Sequence, residues 1–213
     1  MPCRRSKVLW SGHCKLDPED ELRIYKPRVS PGFEWVLPVR DADHEYLWSL
    51  NGTSRRATWR PMPVARLAVD DEGRPLAKAD LPWLGGHVLV LRERAVATLA
   101  PLLDRYGELL PLACPDADLW LFNVLTVVDA LDEENSELVR FDDGNILDVV
   151  RHEFRPEMAA GMAVFKVPQL LRGRLFVGDE FVEAVATAGL TGPEFMQMWP
   201  SVVPRREASA RDD

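Results

Sequence analysis

No stretch of the 213 residues comes near the roughly 20 consecutive apolar side chains that cross a bilayer. The N-terminal run from Met1 to Trp10 is basic (Arg4, Arg5, Lys7) but has no apolar segment behind its charges, so a secretory leader is not expected. These two absences predict a protein that is neither secreted nor membrane-embedded, with a cytoplasmic location. Cysteine is scarce. Cys3, Cys14 and Cys114 make an odd number too small for a disulfide framework, and free thiols in a reducing compartment are expected. Positive charge is also short: 26 Lys and Arg against 34 Asp and Glu leave a net charge of −8. Such a balance repels a phosphate backbone and disfavours nucleic acid as a partner, whereas a basic protein partner is favoured.

The usual catalytic signatures are missing too. Cys3, His13 and Cys14 lie close in sequence but lack the paired ligand spacing and the fourth ligand of a structural zinc site. His44, His87 and His152 stand alone, which suits surface or hydrogen-bonded histidines better than ligands or bases. There is no GxSxG elbow. Cys114 sits between Ala113 and Pro115 with no histidine or cation nearby to activate it, so an inert thiol is expected. Gly85-Gly86 and Gly144 belong to no phosphate-binding loop. No catalytic residue, no metal and no cofactor is therefore assigned, and catalysis is not expected.

What is present is enough to fold. Hydrophobic residues make up 46% of the chain, the share of a globular protein with a core. Residues 1–44 read as an irregular segment with one short strand, part of or appended to a domain over 45–200, and 201–213 read as a mobile polar tail. Tyr46 to Leu50 reads as a strand stopped by Asn51-Gly52, and the prolines Pro61 and Pro63 place Trp59 to Val69 at a sheet edge. His87 to Leu91 reads as a strand. A helix follows, either starting near Thr98 or kinked at Pro101, with Gly107 as its stop. Leu109 to Leu112 is a strand, and Leu119 to Val128 is so continuously apolar that both its faces need cover, which makes it the central strand. Glu137 to Phe141 and Ile146 to Phe154 form a hairpin across Asp142-Asp143-Gly144-Asn145. A last helix runs from a cap at Asp179 to Gly189, with Leu190 packing back. Strands outnumber helices without regular alternation, so the expected fold is α+β: one domain, a largely antiparallel sheet and a few packed helices.

Charge is concentrated. From Asp129 to Asp148 eight acids (Asp129, Asp132, Glu133, Glu134, Glu137, Asp142, Asp143, Asp148) face one base, Arg140. Three readings stay open: a metal or acid/base site, a solvated loop, or a charged surface for a partner. The spacing does not fit an EF-hand loop, and charge runs are usually solvated. As a partner surface, the candidate residues are Asp129, Asp132, Glu133, Glu134, Asp142 and Asp143. Seven tryptophans are many for this length. Most suit core or edge packing, and an exposed subset would suit an interface.

Five segments in order carry a resemblance: Glu108-Leu109-Leu110-Pro111-Leu112; Phe122-Asn123-Val124-Leu125 leading to Asp129-Ala130-Leu131-Asp132 and Ser136; Phe165-Lys166-Val167-Pro168; Leu175-Phe176-Val177-Gly178-Asp179-Glu180-Phe181; and Ala188-Gly189-Leu190-Thr191-Gly192-Pro193-Glu194-Phe195. Over roughly Tyr46 to Trp199, and best from Leu109 on, the chain resembles the immunity-eleven family of bacterial polymorphic toxin systems. The resemblance implies a protein made beside a toxin that neutralises it by binding. It carries no catalytic residue and no defined contact motif. The implied partner is a cognate toxin domain, with a basic nuclease the class that suits the acidic segment; neither nucleic acid nor membrane is expected as a partner. Two other readings remain: a metal-dependent hydrolase using the Asp129 to Asp132 carboxylates, and a regulatory subunit that binds some other protein.

Overall fold

Short apolar runs and turn-rich connections alternate along the computed structural model, which describes residues 22–200. Their order is β1 (Ile24–Arg28), β2 (Trp35–Pro38), α1 (Asp41–Trp48), β3 (Met62–Leu67), β4 (Leu89–Arg92), α2 (Glu93–Leu103), β5 (Gly107–Ala113), β6 (Leu119–Val124), β7 (Glu137–Arg140), β8 (Ile146–Arg151), α3 (Pro156–Ala159), β9 (Val164–Phe165), β10 (Phe176–Gly178), α4 (Asp179–Thr187) and β11 (Glu194–Trp199). Among the described residues they build three sheets: a four-stranded one in the order β11-β1-β10-β9, a five-stranded one in the order β2-β3-β5-β6-β4, and the β7-β8 hairpin. Every strand pair is antiparallel except β3 with β5. The architecture is α+β with largely antiparallel sheets.

β6 lies between β5 and β4, as its nearly continuous apolar sequence requires, and it ends at Val124 rather than at the expected Val128. Its period of two sends Leu119 and Leu121 into a core with Val36, Leu47, Leu50 and Val64. Phe122 and Val124 face the opposite core, where Leu99 and Leu103 of α2 meet Phe181 and Val185 of α4. A third core gathers Phe154, Phe165 and Phe176 with Ile24, Leu131, Val149 and Val167. The rings of Phe154 and Phe176 meet edge to face at 5.2 Å.

One buried carboxylate joins the elements before β5. Glu34, 1% exposed, accepts hydrogen bonds from Arg66 Nη1 at 2.8 Å, from Arg92 Nε at 3.1 Å and from the Ala79 amide at 3.2 Å. Burial works to raise its pKa, but the hydrogen bonds from Arg92 and Arg66 outweigh it and hold the group below the usual carboxylate range. Removing either arginine leaves a buried charge underpaired, the costly case for an ion cluster of this kind.

Several sequence expectations are corrected. Residues 41–48 are a helix: Asp43, Leu47 and Leu50 are buried at helical spacing, so the turn-to-turn period prevails over the alternation of Tyr46, Trp48 and Leu50. The stretch read as irregular carries two strands, and β1 lies inside its sheet between β11 and β10. β3 is interior rather than an edge. Its parallel contact with β5 covers only Met62 and Pro63, so the donor that Pro63 lacks costs little ladder. α2 starts at Glu93, and Pro101 falls in its last turn. Gly107 opens β5 instead of ending the helix, and glycine is required there because a β-carbon would collide with the Asn123 carbonyl. Asp179 does not cap α4. Its carboxylate takes the Arg23 amide and the Tyr25 hydroxyl, each at 3.1 Å, which ties the helix start to β1. β11 was not foreseen. Gly144 (φ +86°) and Gly189 (φ +58°) take up the positive φ expected of the hairpin turn and the helix end. The expectations for Cys3, His13, Cys14 and the 201–213 tail lie outside the described residues.

Two histidines sit inside this framework without hydrogen-bond partners. Both ring nitrogens of His152, 1% exposed beside Phe154 and Phe176, and Nε2 of His87 make no hydrogen bond among the described residues. Burial, reinforced by Arg174 and Lys26 at His152 and by Lys166 at His87, pushes both pKa values down to about 4. On acidification the unfolded chain therefore takes up these protons near pH 6.5 while the folded chain refuses them until about pH 4. Stability is expected to fall across that window by up to about 1.4 kcal/mol per pH unit per histidine. In urea unfolding at stepped pH, His152→Phe should lose about half of this slope, and an unchanged slope would remove His152 from the account.

Candidate partner-binding surface

The acidic segment folds into a loop and the β7-β8 hairpin, and most of its carboxylates are already engaged. Asp129 accepts from Gln169 Nε2 at 3.0 Å and pairs with Arg155 at 2.9 Å. Asp132 shapes its own turn, taking the amides of Glu134 and Asn135 at 3.1 Å and the Asn135 side chain at 2.7 Å. Glu133 pairs with Arg140 at 2.8 Å, and Arg140 also donates to the Gly144 carbonyl, which links the loop to the hairpin turn. At the tip, Asp143 takes the amide and side chain of Asn145 at 2.9 and 2.8 Å. The pKa values of Asp129, Asp132, Glu133 and Asp143 are lowered, in each case first by these bonds: from Gln169, the Asn135 side chain, Arg140 and the Asn145 amide respectively. The side chains of Glu134 and Asp142 make no hydrogen bond or ion pair among the described residues.

Asp129, Asp132, Glu133 and Glu134 line one shallow depression with Arg155 and Gln169, whereas Asp142 and Asp143 stand apart at the hairpin tip. Arg155, Gln169, Arg140, the Asn135 side chain and turn amides occupy the carboxylates of Asp129, Asp132 and Glu133 in the depression, and that of Glu134 has no partner among the described residues. Among the described residues no three His, Cys, Asp or Glu side chains come together as a metal site. Cys114 is half-buried, its thiol pKa raised by burial, and it donates to Asp116 at 3.2 Å.

A second surface feature was not visible in the sequence. Trp48 at the end of α1, Phe141 and Leu147 of the hairpin, and Arg172-Gly173 line a cleft of about 950 Å³ with Glu45 and Ser49. Trp48 is 56% exposed, Phe141 53% and Leu147 53%. The helix explains Trp48: with Leu47 and Leu50 spent on the core, the residue next to Leu47 must face outward. In the hairpin, Val149 with Leu138 and Ile146 serves the third core, which leaves Phe141 and Leu147 to solvent. Asp142 and Asp143 directly follow Phe141, so the apolar wall and the acidic tip are one piece of chain. Of the six described tryptophans, Trp59, Trp83, Trp120 and Trp199 are half-buried, Trp59 and Trp199 pack against the second and third cores, and Trp35 lies on the edge strand β2, so core or edge packing holds for most of them and Trp48 is the exposed exception in the cleft.

The cleft walls are joined from below by Lys166. Its ammonium, 1% exposed, donates to the Leu50 carbonyl at 2.6 Å and to the Leu171 carbonyl at 3.1 Å, one beside each wall. No carboxylate is within ion-pair distance among the described residues, and burial pushes its pKa down to about 8. Two more buried polar groups hold the loop that follows Leu50. Glu108 takes the Ser54 hydroxyl at 2.7 Å and the Arg55 amide at 2.6 Å, and Asn123, its cross-strand partner, donates to Glu108 at 2.8 Å and to the Thr53 carbonyl at 3.1 Å. Burial works to raise the Glu108 pKa, and the Arg55, Ser54 and Asn123 hydrogen bonds bring it below the usual range. The available signal was a lysine, a glutamate and an asparagine inside runs otherwise apolar enough to be core strands.

Residues 113–199 match the model of the immunity protein family (Imm11), the family that the sequence resembles. The match starts later than the Tyr46 expected from the sequence. It takes in β6 to β11, hence the acidic segment, the hairpin wall, Lys166 and Arg172-Gly173, but not α1 or β1 to β4. No curated protein matches the chain.

Lys166→Met is expected to leave the Leu50 and Leu171 carbonyls unbonded and to speed hydrogen exchange around both cleft walls. In the wild type, stability should rise with pH between about 8 and 10.5, because the unfolded chain keeps a proton that the folded chain releases. The variant should be flat in that window. A variant with wild-type exchange and the same rise would show that Lys166 does not join the walls.

Proposed function

We propose that this chain is an immunity protein that binds and neutralises a cognate toxin domain, inside the cell and without catalysis of its own. The observation that carries this reading is the convergence of exposed Trp48, Phe141 and Leu147 on one cleft beside the acidic hairpin tip. Large aromatic side chains on a fixed frame are the usual anchors of tight interfaces, because their area is won at a low cost in side-chain freedom. The family match over 113–199 supplies the hairpin side of the cleft and points to binding rather than chemistry. Carboxylates around such a centre act at longer range. They speed encounter with a basic surface and reject acidic ones, which fits a nuclease toxin whose substrate is itself an anion. Among the acids, Glu134, Glu137 and Asp142 are unpaired within the described residues and have the most charge to offer; Asp129, Asp132, Glu133 and Asp143 hold the loop and turn in shape.

The test uses the toxin domain encoded beside this chain. Trp48→Ala and Phe141→Ala should each weaken binding by about 2 kcal/mol or more, mainly through faster dissociation. Replacing Glu133, Glu134, Asp142 and Asp143 together with Gln or Asn should instead slow association at low salt and flatten its salt dependence. Cells expressing the toxin should survive with the wild type and die with the Trp48→Ala/Phe141→Ala variant. Wild-type affinity in both aromatic variants would place the interface elsewhere, and failure of the wild type to bind or protect would end the proposal.

A further inference from the structure

On the other side of Gly173 from the aromatic cleft, a pocket of about 350 Å³ is lined by Lys26 and Arg28 of β1, Trp83, Gly86, Gly173 and Arg174. Three cations converge here on a protein whose net charge is −8. Their compensation is thin. Arg174 pairs with Asp148 at 3.0 Å. The side-chain contact of Arg28 is a 3.8 Å donation to the Met196 sulfur, a weak acceptor, and Glu194, opposite Arg28 in the β1–β11 register, forms no ion pair with it. Lys26 has no side-chain hydrogen bond or ion pair among the described residues, although it is half-buried. Burial lowers its pKa, and Arg174 pushes the same way. Like charges gathered in a partly desolvated pocket are unfavourable unless an anion completes them.

The rest of the lining suits a small ligand. Gly86 leaves the edge of the Trp83 ring open, since a β-carbon there would already sit 3.9 Å from its Cη2, and Gly173 puts no side chain into the space. The volume is within the range of small-molecule sites, roughly 300–1,000 Å³. Arginine forks and an ammonium are the donor set that recognises tetrahedral oxyanions.

We infer that the Lys26, Arg28 and Arg174 pocket binds a phosphoryl oxyanion, carried by a small molecule of the size of pyrophosphate or a nucleoside monophosphate. The three cations hold the phosphoryl oxygens, and Trp83 offers a ring edge to whatever the phosphate is attached to.

Calorimetric titration of the full chain with pyrophosphate and with adenosine monophosphate, in low-chloride buffer, tests this without any toxin, so its failure leaves the immunity reading untouched. Saturable binding to one site is expected, with Lys26→Gln and Arg28→Gln each weakening it about tenfold. Lys26→Arg should restore it, which separates loss of charge from loss of fold. Tighter binding of the nucleotide would assign the phosphate to a nucleoside carrier, and equal or tighter binding of pyrophosphate to an inorganic one; either supports the site. No saturable heat from either probe at millimolar concentration overturns it, as does binding that Lys26→Gln and Arg28→Gln leave unchanged. Loss of toxin capture in those variants, with no small-anion binding by the wild type, also overturns it and gives the cations to an acidic patch of the partner.

Discussion

The ammonium of Lys166 is buried with two backbone carbonyls and no carboxylate. The drop of its pKa from 10.5 to about 8 corresponds to a charge-burial cost on the order of 3 kcal/mol, which an apolar side chain of the same length would not incur. What that cost secures is connectivity. The Lys166 backbone exchanges hydrogen bonds with Thr126 and Val128 after β6, and its side chain reaches Leu50 after α1 and Leu171 after β9. One residue thus joins the strand β9 of the four-stranded sheet to two separate segments that leave the five-stranded sheet and its helix. Take the ammonium away and the end of α1 and the Leu171-Gly173 loop lose their common anchor, and the aromatic cleft loses its fixed width.

The same logic recurs at Glu108 and Asn123. Side by side on β5 and β6, they meet the loop from Thr53 to Arg55, so three buried polar side chains, on β5, on β6 and just after β9, hold one continuous stretch from Leu50 to Arg55. Loops held only by surface contacts adapt to a partner and lose affinity through ordering. A loop whose backbone groups are satisfied from within is ordered before the encounter. The residues that look most polar in the core are therefore the ones that shape the surface.

How much of this could be read from the sequence follows from which patterns are local. The central strand was legible because the run from Leu119, broken only by Asn123 and Thr126, leaves no solvated face, although β6 stops at Val124, short of the expected Val128; the hairpin was legible because Asp143-Gly144 supplies its positive φ; the α4 end was legible because Gly189 and Leu190 sit where a helix stop and its packing residue belong. α1 was misread since eight residues carry too little helical period to outweigh one Asn-Gly turn, and only one short strand was read where β1 and β2 both form, since each is short and takes its partners from chain more than 25 residues away, Gly178 and Leu67 among them. The acidic residues were found, but not their arginine partners, Arg140 and Arg155, one of which lies outside the acid-rich window. The cleft needed α1 and the hairpin to be neighbours, and no spacing rule within either segment encodes that.

These partnerships also decide how the acidic segment acts in the proposed reading. A carboxylate bonded to an arginine 2.8 or 2.9 Å away presents a dipole more than a charge, and its field fades within about a Debye length of 8 Å at physiological salt. Asp129 and Glu133 are in that position, so the field that reaches outward comes chiefly from the unpaired acids, with Asp142 beside Phe141. Steering and holding then fall to neighbouring atoms of one hairpin: the tip carboxylate acts while the partner is still hydrated and apart, and Phe141 acts only once water has left the cleft. The two depend differently on salt and contribute to different rate constants, which is why a surface with few free charges and three exposed apolar side chains suffices for both speed and retention.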